Sequence, residues 1–384
     1  MITRDIAYIG VDDTDLDLFE SQYIIPNGIS YNSYLIKDEK IAIMDTADNR
    51  KIDEWLGNLR TALDGRTPDY LVVQHMEPDH AGCIAEILEE YPAIKIVASA
   101  RAIQMMPQFF EGKDFSHNAI AVKEGDTLSL GEHTLQFFMA PMVHWPEVMV
   151  TYDKKDKVVF SADGFGKFGA LSHEEDWACE ARRYYFNICG KYGGPVQALL
   201  KKLATLDVEC ICPLHGPILK ENLGYYIGLY DTWSKYDVET EGVFIAYASI
   251  HGGTAAVANV MAEILREKGA KKVSVADLNR DDMAEAIEDA FRMDKMIVAA
   301  ASYDGGVFPV MHDFLHHLQI KAYQKRRVGI IENGSWAPCA GRVMRGMLEQ
   351  MKDVEIAEPM VTILSRMKQS DRAALEALAD AILK

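Results

Sequence analysis

Apolar residues in the first part of the chain occur in short runs that are separated by long polar connections. Short apolar runs bounded by turn residues are typical of buried β-strands. Two stretches between them, at 81–91 and 176–189, have the apolar spacing of amphipathic helices. The pattern therefore predicts a β-rich region up to about residue 215. The predicted strands are 41–44, 71–73, 94–97, 135–139, 158–160 and 208–212.

The second part of the chain follows a different pattern, in which each apolar run is followed by a helical stretch. A helical linker near residues 219–238 separates the two parts. Five strands that are each followed by a helix are typical of a doubly wound parallel sheet. We therefore predict two domains, at 1–240 and 241–384. The predicted strands of the second domain are 243–248, 273–276, 296–300, 328–331 and 361–364, and its helices are 255–268, 282–291, 308–323, 339–351 and 371–383.

The length of 384 residues supports the two-domain prediction, because a single hydrophobic core rarely grows to that size. Hydrophobic residues make up 49% of the chain and charged residues 26%, as in globular proteins. No apolar run approaches the roughly 20 residues that span a bilayer, and the N-terminus lacks the features of a signal peptide. We therefore expect a cytoplasmic protein that has no membrane partner.

The formal net charge of −18 argues against a nucleic-acid partner, because phosphate groups would be repelled. The six cysteines include no CxxC pair, which a cysteine-ligated rubredoxin-type iron site would require. Disulfides are not expected in a cytosolic chain. Cys210 and Cys212 alternate along a predicted strand, so we expect them to be buried thiols.

Four potential metal ligands follow the apolar run 70–73 within six residues: His75, Glu77, Asp79 and His80. In extended backbone the first three side chains would project together and His80 would point the other way. A turn in the segment would instead let two metals share it. Two imidazoles with two carboxylates suit iron, manganese or zinc and not copper(I). The alternative is a polar loop that precedes a helix.

Three further candidate ligands stand at the ends of other predicted strands. His144 follows the apolar run ending at 143, Asp163 follows 158–162, and His215 follows 210–214. Each of these residues alone is more often a capping or turn residue than a ligand. Together with the first cluster they predict a metal site that is assembled from several strand ends.

The order His-x-Glu-x-Asp-His, followed by His, Asp and His, resembles the metallo-β-lactamase-like fold in its flavodiiron protein variant. Hydrolases of that superfamily usually have His-x-His-x-Asp-His, and here Glu77 replaces the second histidine. A hard anionic oxygen ligand favours iron over zinc. The resemblance implies an N-terminal αββα sandwich with two irons. One iron would be held by His75, Glu77 and His144, the other by Asp79, His80 and His215, and Asp163 would bridge them.

Trp145 follows His144 and resembles a segment of the family near the metal site, although it can equally be a packing aromatic. The other histidines match no ligand position of the family, and we expect most of them to be surface or helix residues. These are His117, His133, His173, His251, His312, His316 and His317.

Three loops at the carboxyl ends of the second-domain strands resemble the FMN site of flavodoxins. Hydroxyls, small residues and helix N-terminal N–H groups in the first loop form an anion pocket, and the other two loops carry aromatic residues that could flank a planar ring. GxGxxG and P-loop motifs are absent, which argues against a dinucleotide or ATP. The predicted flavin-site residues are Ser249, Ile250, His251, Gly252, Gly253, Thr254, Ser302, Tyr303, Asp304, Gly305, Gly306, Gly334, Ser335, Trp336 and Ala337.

The flavin loops depart from the flavodoxin pattern at three places. Gly253 stands where asparagine is common, His251 stands where an aromatic residue is common, and Ala300-Ala301 replace a Ser-Pro pair. These departures bear on individual hydrogen bonds with FMN and leave the prediction of the cofactor itself in place.

The resemblance covers the whole chain and implies an enzyme that reduces dioxygen to water, nitric oxide to nitrous oxide, or both. It implies one FMN and two irons per chain, and a head-to-tail homodimer or a dimer of dimers. Because the chain ends at Lys384 without a rubredoxin extension, we expect a separate electron donor such as rubredoxin. Two alternatives remain at this point: a metal-dependent hydrolase with a flavodoxin-like accessory module, and a flavin electron carrier with a vestigial metal site.

Overall fold

The structure is a computed structural model that describes residues 2–384. It contains two compact units, which we describe separately. The first comprises Met1–Tyr185 and Gly194–Asp231, and the second comprises Phe186–Gly193 and Thr232–Lys384. None of the helices within 2–384 is long and apolar enough to cross a membrane.

Two mixed sheets form the centre of the first unit. The first has the strand order β1-β6-β7-β8-β9-β10 and the second has the order β11-β12-β13-β14-β15. Two small hairpin pairs, β2 with β5 and β3 with β4, complete the unit. The strands are β1 (Ile6–Tyr8), β2 (Val11–Asp13), β3 (Leu18–Phe19), β4 (Tyr23–Ile24), β5 (Ile29–Tyr31), β6 (Tyr34–Lys37), β7 (Ile41–Met44), β8 (Tyr70–Val73), β9 (Lys95–Ser99), β10 (Ala119–Val122), β11 (Thr127–Ser129), β12 (Thr134–Met139), β13 (Met149–Asp153), β14 (Val158–Phe160) and β15 (Cys210–Cys212).

The two sheets of the first unit pack face to face through alternate residues of their strands. Ala42 and Met44 from the first sheet share one buried core with Leu135 and Phe137 from the second. Helices α1 and α4 pack against the first sheet. This arrangement is the expected sandwich. The helices up to residue 234 are α1 (Ile52–Leu63), α2 (Pro78–Ala81), α3 (Ile84–Glu90), α4 (Ala100–Phe109), α5 (Trp177–Tyr184), α6 (Gly193–Leu203) and α7 (Leu223–Ser234).

The six strands predicted for the first part of the chain are all present, but two predicted helices are interrupted. The helix predicted at 81–91 is divided into α2 and α3. Gly82 lies between them, and a Cβ at Gly82 would stand 2.5 Å from the carbonyl oxygen of Pro78. The helix predicted at 176–189 ends as α5 at Tyr184, and Tyr185–Cys189 continue as a π-helical turn. Strands such as β10 and β13 were not predicted.

The second unit is a parallel sheet with the strand order β17-β16-β18-β20-β21, to which β19 adds a short antiparallel pair. This is the doubly wound order expected for a flavodoxin-like domain. The elements are β16 (Thr240–Ala248), α8 (Gly253–Glu267), β17 (Val273–Asp277), α9 (Met283–Arg292), β18 (Met293–Tyr303), β19 (Gly306–Val307), α10 (Pro309–Ile320), β20 (Arg327–Asn333), α11 (Ala340–Leu348), β21 (Glu355–Ile363) and α12 (Arg372–Ile382).

Helices cover both faces of the parallel sheet. Helices α8 and α12 pack together on one face, and α9, α10 and α11 contact one another in sequence on the other. Strands buried on both faces read as continuous apolar runs, which is why the pattern predicted them well. The strand predicted at 361–364 is longer, because β21 begins at Glu355. Its polar first half contains Pro359, and an edge strand tolerates such residues.

Candidate metal centre and flavin pocket

The segment that follows β8 divides its four ligands between two groups. The chain leaves β8 at Val73 and turns where α2 begins at Pro78. Of the two arrangements that the sequence left open, the structure shows the second, in which a turn lets two metals share the segment. The two groups of possible ligands are His75, Glu77, His144 and Asp163, and Asp79, His80 and His215.

The first group is centred on one oxygen each of Glu77 and Asp163. Glu77 Oε2 lies 3.0 Å from His144 Nε2 and 3.2 Å from His75 Nε2. Asp163 Oδ2 lies 3.1 Å from His144 Nε2 and 3.3 Å from His75 Nε2. Two imidazoles and two carboxylates thus point at one position.

The second group uses the other oxygen of Asp163. Asp163 Oδ1 lies 3.2 Å from His80 Nε2 and 3.9 Å from His215 Nε2. Asp79 Oδ2 lies 3.4 Å from His80 Nε2 and 3.3 Å from His215 Nε2. Since its two oxygens face different groups, Asp163 has the geometry of a carboxylate that bridges two metals.

The polar atoms of this centre fit a metal pair. Among residues 2–384, both carboxylate oxygens of Asp79 and of Asp163 and the Nε2 of His144 are buried without a hydrogen-bond partner. Buried polar atoms rarely lack partners in folded proteins. Atoms that bind one metal ion with bonds of about 2.1 Å lie roughly 3 to 3.5 Å from one another. Most of the nitrogen–oxygen distances within the two ligand groups fall in this range. Imidazole and carboxylate ligands suit iron.

The charges within the centre are balanced by protons when no metal is bound. Burial lowers the pKa of His144, but the Asp163 and Glu77 carboxylates beside its Nε2 outweigh it and raise that pKa to about 9. Burial raises the pKa of Asp163, but the charges of His75 and His80 hold it well below its usual range. Metal binding must therefore displace protons from the imidazoles.

Glu147 supports the first group and was not predicted from the sequence. Its Oε1 accepts a hydrogen bond from His75 Nδ1 at 2.8 Å and another from Met76 N at 2.9 Å. An imidazole that donates from Nδ1 leaves Nε2 free to bind a metal. On the second group, His215 Nδ1 donates to the Ser30 carbonyl oxygen at 2.7 Å. The sequence contains one signal that could have identified Glu147. It is an acidic residue three positions after the candidate ligand His144 and next to an apolar run.

Replacing Glu147 by glutamine is expected to weaken iron binding roughly 10-fold or more, because partners of metal-bound imidazoles tune ligand basicity and orientation. Iron retained after dialysis against a weak chelator measures the effect, and flavin content should not change. Glu124→Gln is the matched control, since Glu124 is half exposed and pairs with Lys202. Unchanged iron affinity in Glu147→Gln would contradict this positioning role.

A second residue missed by the sequence reasoning is Glu20, at the mouth of the centre. A cavity of about 250 Å³ is lined by residues that include Glu20, Arg50, Glu77 and Asp79. Glu20 is an exposed residue, but desolvation by its surroundings and the neighbouring Glu77 carboxylate raise its pKa to about 7. Glu20 lies in a polar turn of the sequence, so nothing local marks it as part of a site.

Trp145 packs against the ligands of the first group. Its ring lies edge-on to the His75 ring at 5.2 Å between centroids and 6.2 Å from the His144 ring. It also stacks on Phe109 at 6.4 Å. Trp145 is thus a packing aromatic beside the centre, and a role in catalysis stays a prediction.

The second unit contains a cavity of about 630 Å³ at the carboxyl ends of four parallel strands. It is lined by all the predicted flavin-site residues except Gly252 and Gly306, which are not on its wall. The lining also includes residues that were not predicted: Ala301, Asn333, Cys339, Ser365 and Arg366.

The phosphate end of the predicted flavin site fits an anion. Ser249 Oγ is buried without a hydrogen-bond partner among residues 2–384, and the cavity lies beside the N-terminus of the 15-residue helix α8. N–H groups at a helix N-terminus bind phosphate. Gly253 departs from the flavodoxin pattern because a Cβ there would lie 2.5 Å from the Ser365 carbonyl oxygen.

A fourth loop, which follows β21, brings Ser365 and Arg366 to the cavity. Asn333 Nδ2 donates to the Ser365 carbonyl oxygen at 2.9 Å, and Ser365 N donates to Asn333 Oδ1 at 3.0 Å. Only three loops were predicted for this site. The fourth loop reaches the cavity because β21 lies beside β20, and this neighbourhood is visible only in the folded sheet. Ser302 also has a structural role, since its Oγ accepts hydrogen bonds from Cys339 N and Ala340 N.

Known proteins resemble this chain in sequence over most of its length. A family model described as ODP family β-lactamase matches residues 29–216, which include all seven candidate metal ligands. An uncharacterized protein of Methanocaldococcus jannaschii is 30% identical over 357 residues, covering 91% of this chain and 89% of that protein. The anaerobic nitric oxide reductase flavorubredoxin of Escherichia coli is 28% identical over 349 residues, covering 88% of this chain and 72% of that protein.

Solved structures match nearly the whole chain. Rubredoxin oxygen:oxidoreductase from Desulfovibrio gigas matches with a TM-score of 0.93 at 27% identity, covering 100% of this chain and 97% of that one. The flavodiiron protein from Giardia intestinalis shares the fold with a TM-score of 0.90 at 22% identity, covering 99% of this chain and 95% of that one. The chain therefore belongs to the flavodiiron protein family, in which a metallo-β-lactamase-like domain is joined to a flavodoxin-like domain.

Proposed function

We propose that this protein is an oxidoreductase that reduces dioxygen to water, nitric oxide to nitrous oxide, or both. The observation that carries the proposal is Asp163, whose two buried oxygens each face a separate group of imidazole and carboxylate ligands. Members of the family carry a diiron site and FMN, which supports our proposal of two irons in this centre and one FMN in the cavity of the second unit. When bound, the reduced flavin supplies electrons and the iron pair supplies open positions for a diatomic gas.

The residues around the second ligand group hold it rigidly and exclude water. The His215 ring contacts Phe19 edge-on at 5.4 Å and Tyr184 at 5.6 Å between centroids. His80 and His215 are themselves fully buried. Buried ligands that are locked by packing keep their geometry without reorganising during a reaction.

Reduction of either gas consumes protons, and Glu20 is placed to hold one. Its pKa of about 7 leaves its carboxyl group partly protonated at neutral pH. It lines the same cavity as Glu77 and Asp79. A group with a pKa near the working pH is suited to proton transfer. We therefore assign Glu20 as the residue that holds a proton at the mouth of the centre.

We further propose a separate electron donor of the rubredoxin type and a head-to-tail homodimer or dimer of dimers. The Desulfovibrio gigas relative is named for rubredoxin and oxygen, and the Escherichia coli relative for nitric oxide. Light scattering on the purified protein measures the oligomeric state. None of the six cysteines, all of which lie within residues 2–384, forms a disulfide, which agrees with our proposal of a cytoplasmic location.

The hydrolase alternative is not favoured. The relatives with known activities are named as a nitric oxide reductase and an oxygen oxidoreductase. Glu77 supplies a hard oxygen ligand where the hydrolases of the superfamily usually have histidine.

Purified protein is expected to contain two irons and one FMN per chain and to turn over a diatomic gas. The experiment is anaerobic reduction of the enzyme, followed by addition of nitric oxide and, in a separate assay, of oxygen. Gas consumption and the flavin spectrum are followed together. Zinc without flavin in metal-replete protein, or no turnover with either gas, would overturn the proposal.

A further inference from the structure

A second cluster of metal-binding residue types lies at the opposite end of the second sheet from the iron centre. His133 precedes β12, Asp153 is the last residue of β13, and Asp156 lies in the turn between β13 and β14. The antiparallel pairing of Leu135 with Asp153 places these turns side by side. One ligand atom from each of His133, Asp153 and Asp156 lies within 4.8 Å of the others.

His133 is fully buried, so it is an exception to the expectation that most of the remaining histidines lie on the surface or in helices. The turn that carries it is tied to the turn between β6 and β7, because His133 N donates to Asp38 Oδ2 at 2.6 Å. This contact between the two sheets has no signal in the sequence, where His133 stands in a polar turn.

The buried polar atoms of the cluster are incompletely satisfied. His133 Nδ1 lies 2.9 Å from Asp153 Oδ2, which also accepts a hydrogen bond from Asp156 N at 3.0 Å. Among residues 2–384, His133 Nε2 and Asp153 Oδ1 are buried and have no hydrogen-bond partner. Both side chains have 0% exposure. A buried histidine and carboxylate with unused atoms indicate room for a further ligand.

The charges around the cluster favour a cation. Four carboxylates face His133, those of Asp5, Asp38, Asp153 and Asp156. The Lys155 ammonium is bound to Asp5 at 2.8 Å and to Glu132 at 2.7 Å. The carboxylates of Asp153 and Asp156 therefore face His133 and are not paired with Lys155. A buried carboxylate needs a positive partner, which a metal ion would provide.

The cluster is separate from the iron centre. His133 lies before the six-residue strand β12, and His144 lies beyond its other end. At about 3.3 Å per residue the two places are roughly 20 Å apart. No ligand of the iron centre belongs to the cluster.

We propose that His133, Asp153 and Asp156 form a third metal site, which takes a divalent transition cation such as Zn²⁺ or Mn²⁺. One imidazole nitrogen and several carboxylate oxygens match the ligand preferences of these ions. Asp5 faces the other ring nitrogen, with its Oδ2 3.5 Å from His133 Nε2, and is bound by Lys155, so it is not one of the ligands. The ion would join the turn before β12 to the turn after β13, and the proposal stands independently of the gas-reducing activity.

The test uses the iron- and flavin-loaded protein, titrated with Zn²⁺ and then desalted. We expect one zinc per chain to be retained with no loss of iron, and Asp156→Asn to lower the zinc affinity at least 10-fold in calorimetry. Asp156 is only partly buried, so this variant should fold even if His133→Gln does not. Asp64→Asn, at an exposed helix end, is the matched control and should bind zinc normally.

Three results would overturn the third site. The wild type could retain no zinc beyond its iron, which would make the cluster a plain network of His133 with its carboxylates. Zinc could be gained only as iron is lost, which would place it in the iron centre. Asp156→Asn could bind zinc as tightly as the wild type.

Discussion

Replacing Asp163 by asparagine is expected to abolish reduction of both gases while leaving the flavin bound. Asp163 is 1% exposed and is the residue that faces both ligand groups. An amide keeps one oxygen but removes the charge and turns an NH₂ group towards imidazole nitrogens. Removing one partner from a buried set of charges costs about 3–5 kcal/mol. A loss of that size in binding free energy corresponds to roughly 10² to 10⁴ in metal affinity.

Iron content, gas consumption and the flavin absorption spectrum of the Asp163→Asn variant should be measured on the same preparation. We expect less than two irons per chain, turnover reduced at least about 100-fold, and normal flavin content. Asp207→Asn is the control, because the Asp207 side chain is exposed and pairs with surface Lys157. Normal turnover of Asp163→Asn would show that the bridging assignment is wrong.

Replacing Glu77 by histidine is expected to change the metal that the centre selects. The variant restores the His-x-His-x-Asp-His order of the hydrolases that this domain resembles. Glu77 Oε2 lies within 3.2 Å of both His75 Nε2 and His144 Nε2, so a third imidazole would take its place beside those two. A site with three imidazoles loses its hard anionic ligand and gains affinity for zinc. Gas reduction should then be lost, since zinc has no redox chemistry.

The Glu77→His variant should be expressed with equal iron and zinc in the medium and analysed for both metals. We expect the zinc-to-iron ratio to rise at least 10-fold over the wild type. Glu89→His is the control, since Glu89 is an exposed residue of α3 that pairs with Lys113. If Glu77→His keeps both irons and turns over gas, Glu77 is not the residue that selects iron.

Prediction from the sequence succeeded where the signal was local. Buried parallel strands such as 296–300 read as continuous apolar runs, and α8 to α12 have clear amphipathic spacing. Polar residues at the ends of such strands, including His215 and Ser249, were predicted as site residues. This was possible because the end of a rigid strand fixes where the following side chains lie. The missed strands lack this signal for different reasons: β10 is apolar but short and half-exposed, and β13 is buried but contains the polar residues Thr151 and Asp153.

Prediction failed where the partner lies far away in the chain. Glu147 is 72 residues from His75, which it supports, and Glu20 approaches the centre from a hairpin of its own. The fourth flavin loop depends on β21 lying beside β20. His133 is buried only because two turns from different sheets meet over it. Such contacts follow from the packing of sheets, which no local pattern encodes.

The sequence by itself determined the two fold patterns, the seven ligand types and Glu77, which points to iron. It could do so because side-chain periodicity and ligand chemistry are properties of short segments. The tertiary structure alone decided how the ligands divide into two groups. It did so through the turn at Pro78, which sends Asp79 and His80 to one side, and through the position of Asp163, whose two oxygens face different groups.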